Sequence, residues 1–179
     1  MPVPYRHRQL LGLTLYLLAS LALIVVALLP LAPGRIGWPG PDWLLALTFA
    51  WVLRRPEQVP VLAIAAVMLI ADILTLQPPG LGAALAVMAT EVARQRQQRW
   101  RDQGFLVEWL RVAMLMGLMV LAERVIRTVF LVPPTLAPLP PPGQDVLRLI
   151  ATIGAYPLVA GMLSALGLRR SRRGAFELG

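Results

Sequence analysis

Among the charged residues in, or at the end of, the apolar runs of this chain, five share the outer level: Asp72, Glu123, Arg124, Arg127 and Arg148. At bilayer depth a charge costs about 2.5–3.5 kcal/mol on insertion scales, so such residues face protein or water rather than lipid. Glu123 and Arg127 are four apart, which puts them on one helical face as an ion pair. Arg124 points ~100° away from Glu123 and is free to reach another helix. Asp72 is its candidate partner: the spacing predicts a buried Asp72 paired with Arg124 or Arg127. Three arrangements fit this set. It can be a polar pocket or docking surface for a lipid or a partner, an ion-pair network that locks helices together, or a proton relay. No His accompanies the relay.

Other chemistry lacks its residues. There is no Cys, so disulfides, thiolate catalysis and Cys-ligated metals are excluded. The one His, His7, lies in the N-terminal segment. There is no phosphate loop, no metal-ligand spacing and no Ser beside a plausible base. The expectation is a protein that is not an enzyme and carries no cofactor or metal.

The elements that position these charges are membrane spans. Apolar residues make up 58% of the chain and mean hydropathy is +0.68, too high for an ordinary soluble domain. Apolar runs cover 10–29, 42–53, 61–76, 81–93, 105–132 and 146–168. The first is long and is followed by five more, so it reads as an uncleaved crossing rather than a signal peptide. The runs at 42–53 and 81–93 are too short to cross alone. Pro41 is placed as the first residue of the second helix. Trp43 and Trp51 sit near its two ends, as interfacial anchors do. Gly82 and Ala86 share a helical face, and their small size suits close helix packing, as does Gly161. Pro157 predicts a kink in the last span.

Every one of the 17 basic residues is Arg, and twelve of them fall on alternate connections. Arg6 and Arg8 precede the first run. Arg54 and Arg55 follow the second. Arg94, Arg96, Arg99 and Arg101 follow the fourth, and Arg169, Arg170, Arg172 and Arg173 lie in the tail 169–179. Basic residues collect in short cytoplasmic loops. The expectation is one all-α integral membrane domain of six spans with both termini cytoplasmic and a basic cytoplasmic face. The net charge of +8 is divided among four short segments, which fits lipid headgroups and not nucleic acid. Glu57 and Glu91 stand at inner boundaries and read as solvated.

Two stretches carry a family resemblance. One is Pro41-Asp42-Trp43-Leu44-Leu45 continuing to Arg54-Arg55-Pro56. The other is Ala71-Asp72-Ile73-Leu74 followed by Gln77-Pro78-Pro79-Gly80-Leu81-Gly82. Together they resemble the bacterial rod shape-determining MreD family, in an alphaproteobacterial form. Trp43 stands where that family usually has Leu, and Ala71 departs from a Gly-Leu context. The resemblance implies a multi-pass subunit of the cell-elongation machinery in the bacterial inner membrane, helping to organise peptidoglycan synthesis. Its implied partners are the bitopic protein MreC, the actin-like MreB, the glycan polymerase RodA and its transpeptidase. It also implies a fold similar to the substrate-binding subunits of energy-coupling-factor transporters. That similarity supplies the alternative function: a small-molecule-binding transporter subunit.

Overall fold

The computed structural model describes residues 5–29, 39–101, 104–130 and 141–166. The tail 169–179 and the Pro-rich segment 131–140 lie outside the described residues. The described residues form six helices and no strand: α1 Tyr5–Leu28, α2 Trp43–Arg54, α3 Val61–Leu74, α4 Leu81–Arg101, α5 Phe105–Phe130 and α6 Pro142–Ala165. Three are long and apolar enough to cross a membrane: α1 over Gln9–Leu28, α5 and α6. At 1.5 Å per residue they run roughly 30–39 Å, enough for a hydrocarbon core of ~30 Å. Their outward faces carry bare apolar side chains, including Leu11, Leu15 and Leu18 on α1 and Leu110, Met114, Leu118 and Leu121 on α5. So continuous an apolar exterior belongs in lipid, and the chain is a membrane protein.

The short helix α2 forms the centre. It packs against α1, α4 and α6, while α3 pairs with α4 and α1, and α5 joins α4 to α6. Ten of its 12 residues are buried, which accounts for its composition: a helix apolar on all sides is stable only inside. Trp51 is therefore a core residue, 3% exposed, and not an interfacial anchor. Its ring meets Tyr16 of α1 edge to face at 5.8 Å, and the Tyr16 hydroxyl hydrogen-bonds the Thr48 hydroxyl at 3.0 Å. Asp42, not Pro41, opens α2. Its Oδ1 accepts from the Leu45 N–H at 3.0 Å, which makes it the N-cap.

The fourth helix does not stop at Ala93. It continues to Arg101, so the basic stretch is helix and not loop. The reason is a clamp on the α2–α3 turn. Arg94 donates from Nη1 to the Pro56 carbonyl at 2.9 Å and from Nη2 to the Val59 carbonyl at 2.7 Å. Gln97 donates to the Leu53 carbonyl at 2.7 Å. These carbonyls end α2 or lie in the turn and have no helical donors of their own. The polar end of α4 supplies them, and the helix must persist to hold the spacing.

Sequence also accounts for how α6 tolerates Pro157. A proline has no N–H, so the carbonyl four residues earlier loses its partner. That carbonyl belongs to Ile153, and Trp109 of α5 donates to it from Nε1 at 2.9 Å. Buried carbonyls in lipid need such a partner. Trp109→Phe is expected to lower the thermal midpoint by the equivalent of about 1–3 kcal/mol, the cost of an unsatisfied buried group. Adding Pro157→Ala restores a backbone donor and is expected to recover part of the loss in a detergent thermal-shift assay. An undiminished midpoint in the single variant would dismiss the role of the indole.

Candidate functional site

Two polar levels interrupt the apolar bundle. One lies at the basic end, near the α2–α3 turn, and the other at the opposite end. At that opposite end a cavity of about 650 Å³ draws lining residues from all six helices. Asp72, Glu123, Arg124, Arg127 and Arg148 all line it, so the structure brings the five charged residues to one place. The cavity is polarised along the bundle axis. On α3, α4 and α5 the polar or turn residue stands one helical turn further from the basic end than an apolar one: Asp72 beyond Met68, Gly82 beyond Ala86, Glu123 beyond Met119. The cavity thus has an apolar floor and a charged rim.

The pairing differs from the sequence expectation. Arg127 does pair with Glu123 on the same face. Arg124 does reach another helix, but its partner is Asp145 of α6. Arg148 pairs with Asp42 at 3.0 Å. Asp72 has no Arg partner among the described residues. It is buried, 6% exposed, and its Oδ2 accepts from the backbone N–H groups of Gly80 and Ala83, each at 3.1 Å. Those are orphan donors at the start of α4, and the positive end of the helix stabilises the carboxylate there. The turn chemistry made this possible. Gly80 has φ of +88°, a left-handed conformation that favours glycine, and Gly82 leaves space for the carboxylate. A Cβ at Gly82 would lie 2.5 Å from Asp72 Oδ1.

Three cavity residues were absent from the expected charged set: Asp42, Asp145 and Thr152. Asp42 read only as the start of a span. Asp145 stands in the first turn of α6, three residues before Arg148, where its charge suits the helix N-terminus. Thr152 stands four residues after Arg148, on the same face. Its hydroxyl donates to the Arg148 carbonyl at 2.7 Å and accepts from the Asp42 N–H at 2.9 Å. The signal was there: polar residues three and then four positions apart, on one face at the start of α6.

Of the expected packing residues, Gly82 lies under Asp72 and Ala86 is buried in the core. Gly161 does neither. It faces outward with open space where its Cβ would be, so it packs no described helix of this chain.

The basic face is also more structural than its charge suggests. Arg54 is a correction: it is 6% exposed and sits inside the bundle, not on a cytoplasmic surface. It donates to the Ala50 carbonyl at 3.3 Å and approaches the Ser164 hydroxyl of α6 at 3.4 Å. Beside it, Tyr156 donates its hydroxyl to Glu108 Oε1 at 2.7 Å, and Glu108 is only 1% exposed. Helices α2, α5 and α6 are tied together there. Arg94 is spent on the turn clamp and also lies 3.4 Å from Glu91. Arg55 lies 3.9 Å from Glu57, and Arg96 is exposed. The side chains of Arg99 and Arg101 lie outside the described set.

The described residues contain no group of three His, Asp or Glu placed to hold a metal ion. What the arrangement can do is bind: an amphiphilic cavity with ion-paired guanidinium groups on its rim. Comparison of the chain with protein-family models, with curated proteins and with solved structures gives no match in any of the three.

Proposed function

We propose that this chain is a non-catalytic, MreD-like subunit of the bacterial elongation machinery that works by holding a partner membrane protein. One observation carries the reading. The two stretches that resemble the family belong to different helices, yet Asp42 of the first and Asp72 and Gly82 of the second line the same cavity. Short motifs that converge on one site are what a shared binding function would retain. The partner in this reading is the single membrane helix and adjoining segment of an MreC-like protein. MreB-like and RodA-like proteins belong to the wider assembly. The cavity volume favours one second reading, a transporter subunit that binds a small solute, because 650 Å³ lies within the ~300–1,000 Å³ of ligand pockets.

In the proposed topology all six helices cross the inner membrane, with Arg55, Arg96 and the basic tail on the cytoplasmic side. Reporter fusions at the C-terminus are expected to be active only when cytoplasmic reporters are used; activity of a periplasmic reporter there would overturn the orientation. The function is tested by co-purification. The tagged chain is expected to retain an MreC-like protein in mild detergent. Recovery of an ATPase module in its place, with a tightly bound vitamin-sized solute, would favour the transporter reading.

A further inference from the structure

We propose that the cavity holds the head of a membrane phospholipid bearing a primary ammonium group, with an acyl chain leaving between α1 and α6. The inference does not depend on the partner reading, since a lipid can occupy the cavity with or without a bound protein. It begins from Asp72. One oxygen of its carboxylate, Oδ2, is satisfied by two backbone N–H groups. The other, Oδ1, accepts no hydrogen bond among the described residues, although the side chain is buried and lines the cavity. Each of the three guanidinium groups on the rim faces a carboxylate other than Asp72. That oxygen is the accessible atom of an otherwise buried carboxylate, and a cationic N–H donor is the strongest partner a ligand can bring it.

The rest of the site selects what carries that donor. Arg148 donates one hydrogen bond, from Nη2 to Asp42, and keeps the remainder of its five-donor fork. Its side chain is the most open of the three rim arginines, and a phosphate oxygen is the natural acceptor. A zwitterion with an ammonium and a phosphate therefore meets both groups. A trimethylammonium head has no N–H to give Asp72, and a purely anionic head brings no cation.

The apolar floor and the side of the cavity point to a lipid and not a free solute. Val26 of α1 and Leu29 just after it line the cavity and are also exposed. Helix α1 packs on α2 and α3, and α6 on α2 and α5, so among the described residues no tight α1–α6 seam closes that wall. A chain can pass from the apolar floor into the surrounding tails.

The test uses the full chain in mild detergent and native mass spectrometry. Ethanolamine, choline and glycerol phospholipids with identical chains are offered in equal amounts. One bound ethanolamine lipid is expected, preferred by roughly tenfold, the scale of a hydrogen bond to a charged group. Asp72→Asn should bring the three lipids to near parity while the protein stays folded, because an amide oxygen still accepts from Gly80 and Ala83. Should that variant fail to fold, Arg148→Gln decides: it is expected to weaken all three phospholipids alike. Equal retention by the unaltered chain, an unchanged preference in folded Asp72→Asn, or unchanged retention in Arg148→Gln would overturn the proposal. Displacement of the lipid by soluble glycerophosphoethanolamine at matched concentration would assign the cavity to a free solute instead. Recovery of an MreC-like protein from the same preparations reports separately on the partner reading.

Discussion

Gly82→Ala is expected to lower folded yield and thermal midpoint sharply, although it adds one methyl group to a helix in a residue type that favours helices. The new Cβ would stand 2.5 Å from Asp72 Oδ1 and 3.2 Å from its Cγ. The carboxylate cannot step aside freely, because Oδ2 is fixed by the Gly80 and Ala83 N–H groups. Relief means either an overpacked contact, about 1–3 kcal/mol, or loss of those two hydrogen bonds, with each orphaned donor costing a similar amount. The α3–α4 hairpin carries the cavity wall, so its loss removes the site as well as the stability. Asp72→Ala removes the clash but leaves both donors unpaired, and is expected to lower folded yield on its own. The two changes share one contact, so their effects should not add. The double variant Gly82→Ala/Asp72→Ala is expected to be no worse than Asp72→Ala alone, whereas independent sites would sum. Monodisperse yield on size exclusion and thermal midpoints in one detergent measure all four corners of the cycle. Additive losses would show that Gly82 matters for another reason.

Glu108→Ala is expected to be the most damaging change at the basic end. Glu108 is almost wholly buried and accepts the Tyr156 hydroxyl, with the Arg54 guanidinium beside the same phenol. Removing the carboxylate leaves the phenol without its acceptor and the Arg54 charge buried with less compensation. Breaking such a buried charged network costs roughly 3–5 kcal/mol in soluble proteins. Glu108→Gln keeps an acceptor for Tyr156 and should cost less, and Tyr156→Phe should lose only about 1–2 kcal/mol. The order Glu108→Ala, Glu108→Gln, Tyr156→Phe in decreasing loss of thermal midpoint is the expected outcome. If Glu108→Ala proved as stable as the parent, the cluster would have no role in joining α2, α5 and α6. The lesson extends to Arg54, which sequence position assigns to a surface and packing assigns to the core.

The helices themselves were legible because lipid is an unforgiving solvent. Long apolar runs without backbone partners outside the helix have one stable form, so α1, α5 and α6 follow from composition and length. The charged residues at the opposite end were legible for the same reason: each is too costly to face lipid, so Asp72, Glu123, Arg124, Arg127 and Arg148 had to turn inward. Local pairing followed from helical spacing alone, as with Glu123 and Arg127.

Partners across helices were not legible. Spacing says that Arg124 points away from Glu123, but only the placement of α6 beside α5 gives it Asp145. Asp72 looked like half of an ion pair because sequence displays side chains and hides backbone donors. The free N–H groups at the start of α4 exist only once the Gly80 turn has formed, and they hold the carboxylate without any arginine. The same blindness ended α4 too early and left Arg54 on a surface. The clamp on the α2–α3 turn needs carbonyls exposed by the tertiary fold, and the depth of Arg54 depends on α6 closing over it. Sequence by itself determined that this chain enters lipid and that its charges face one another. Which groups meet was decided by tertiary structure, because backbone donors and neighbouring helices compete for each charge only after the bundle has closed.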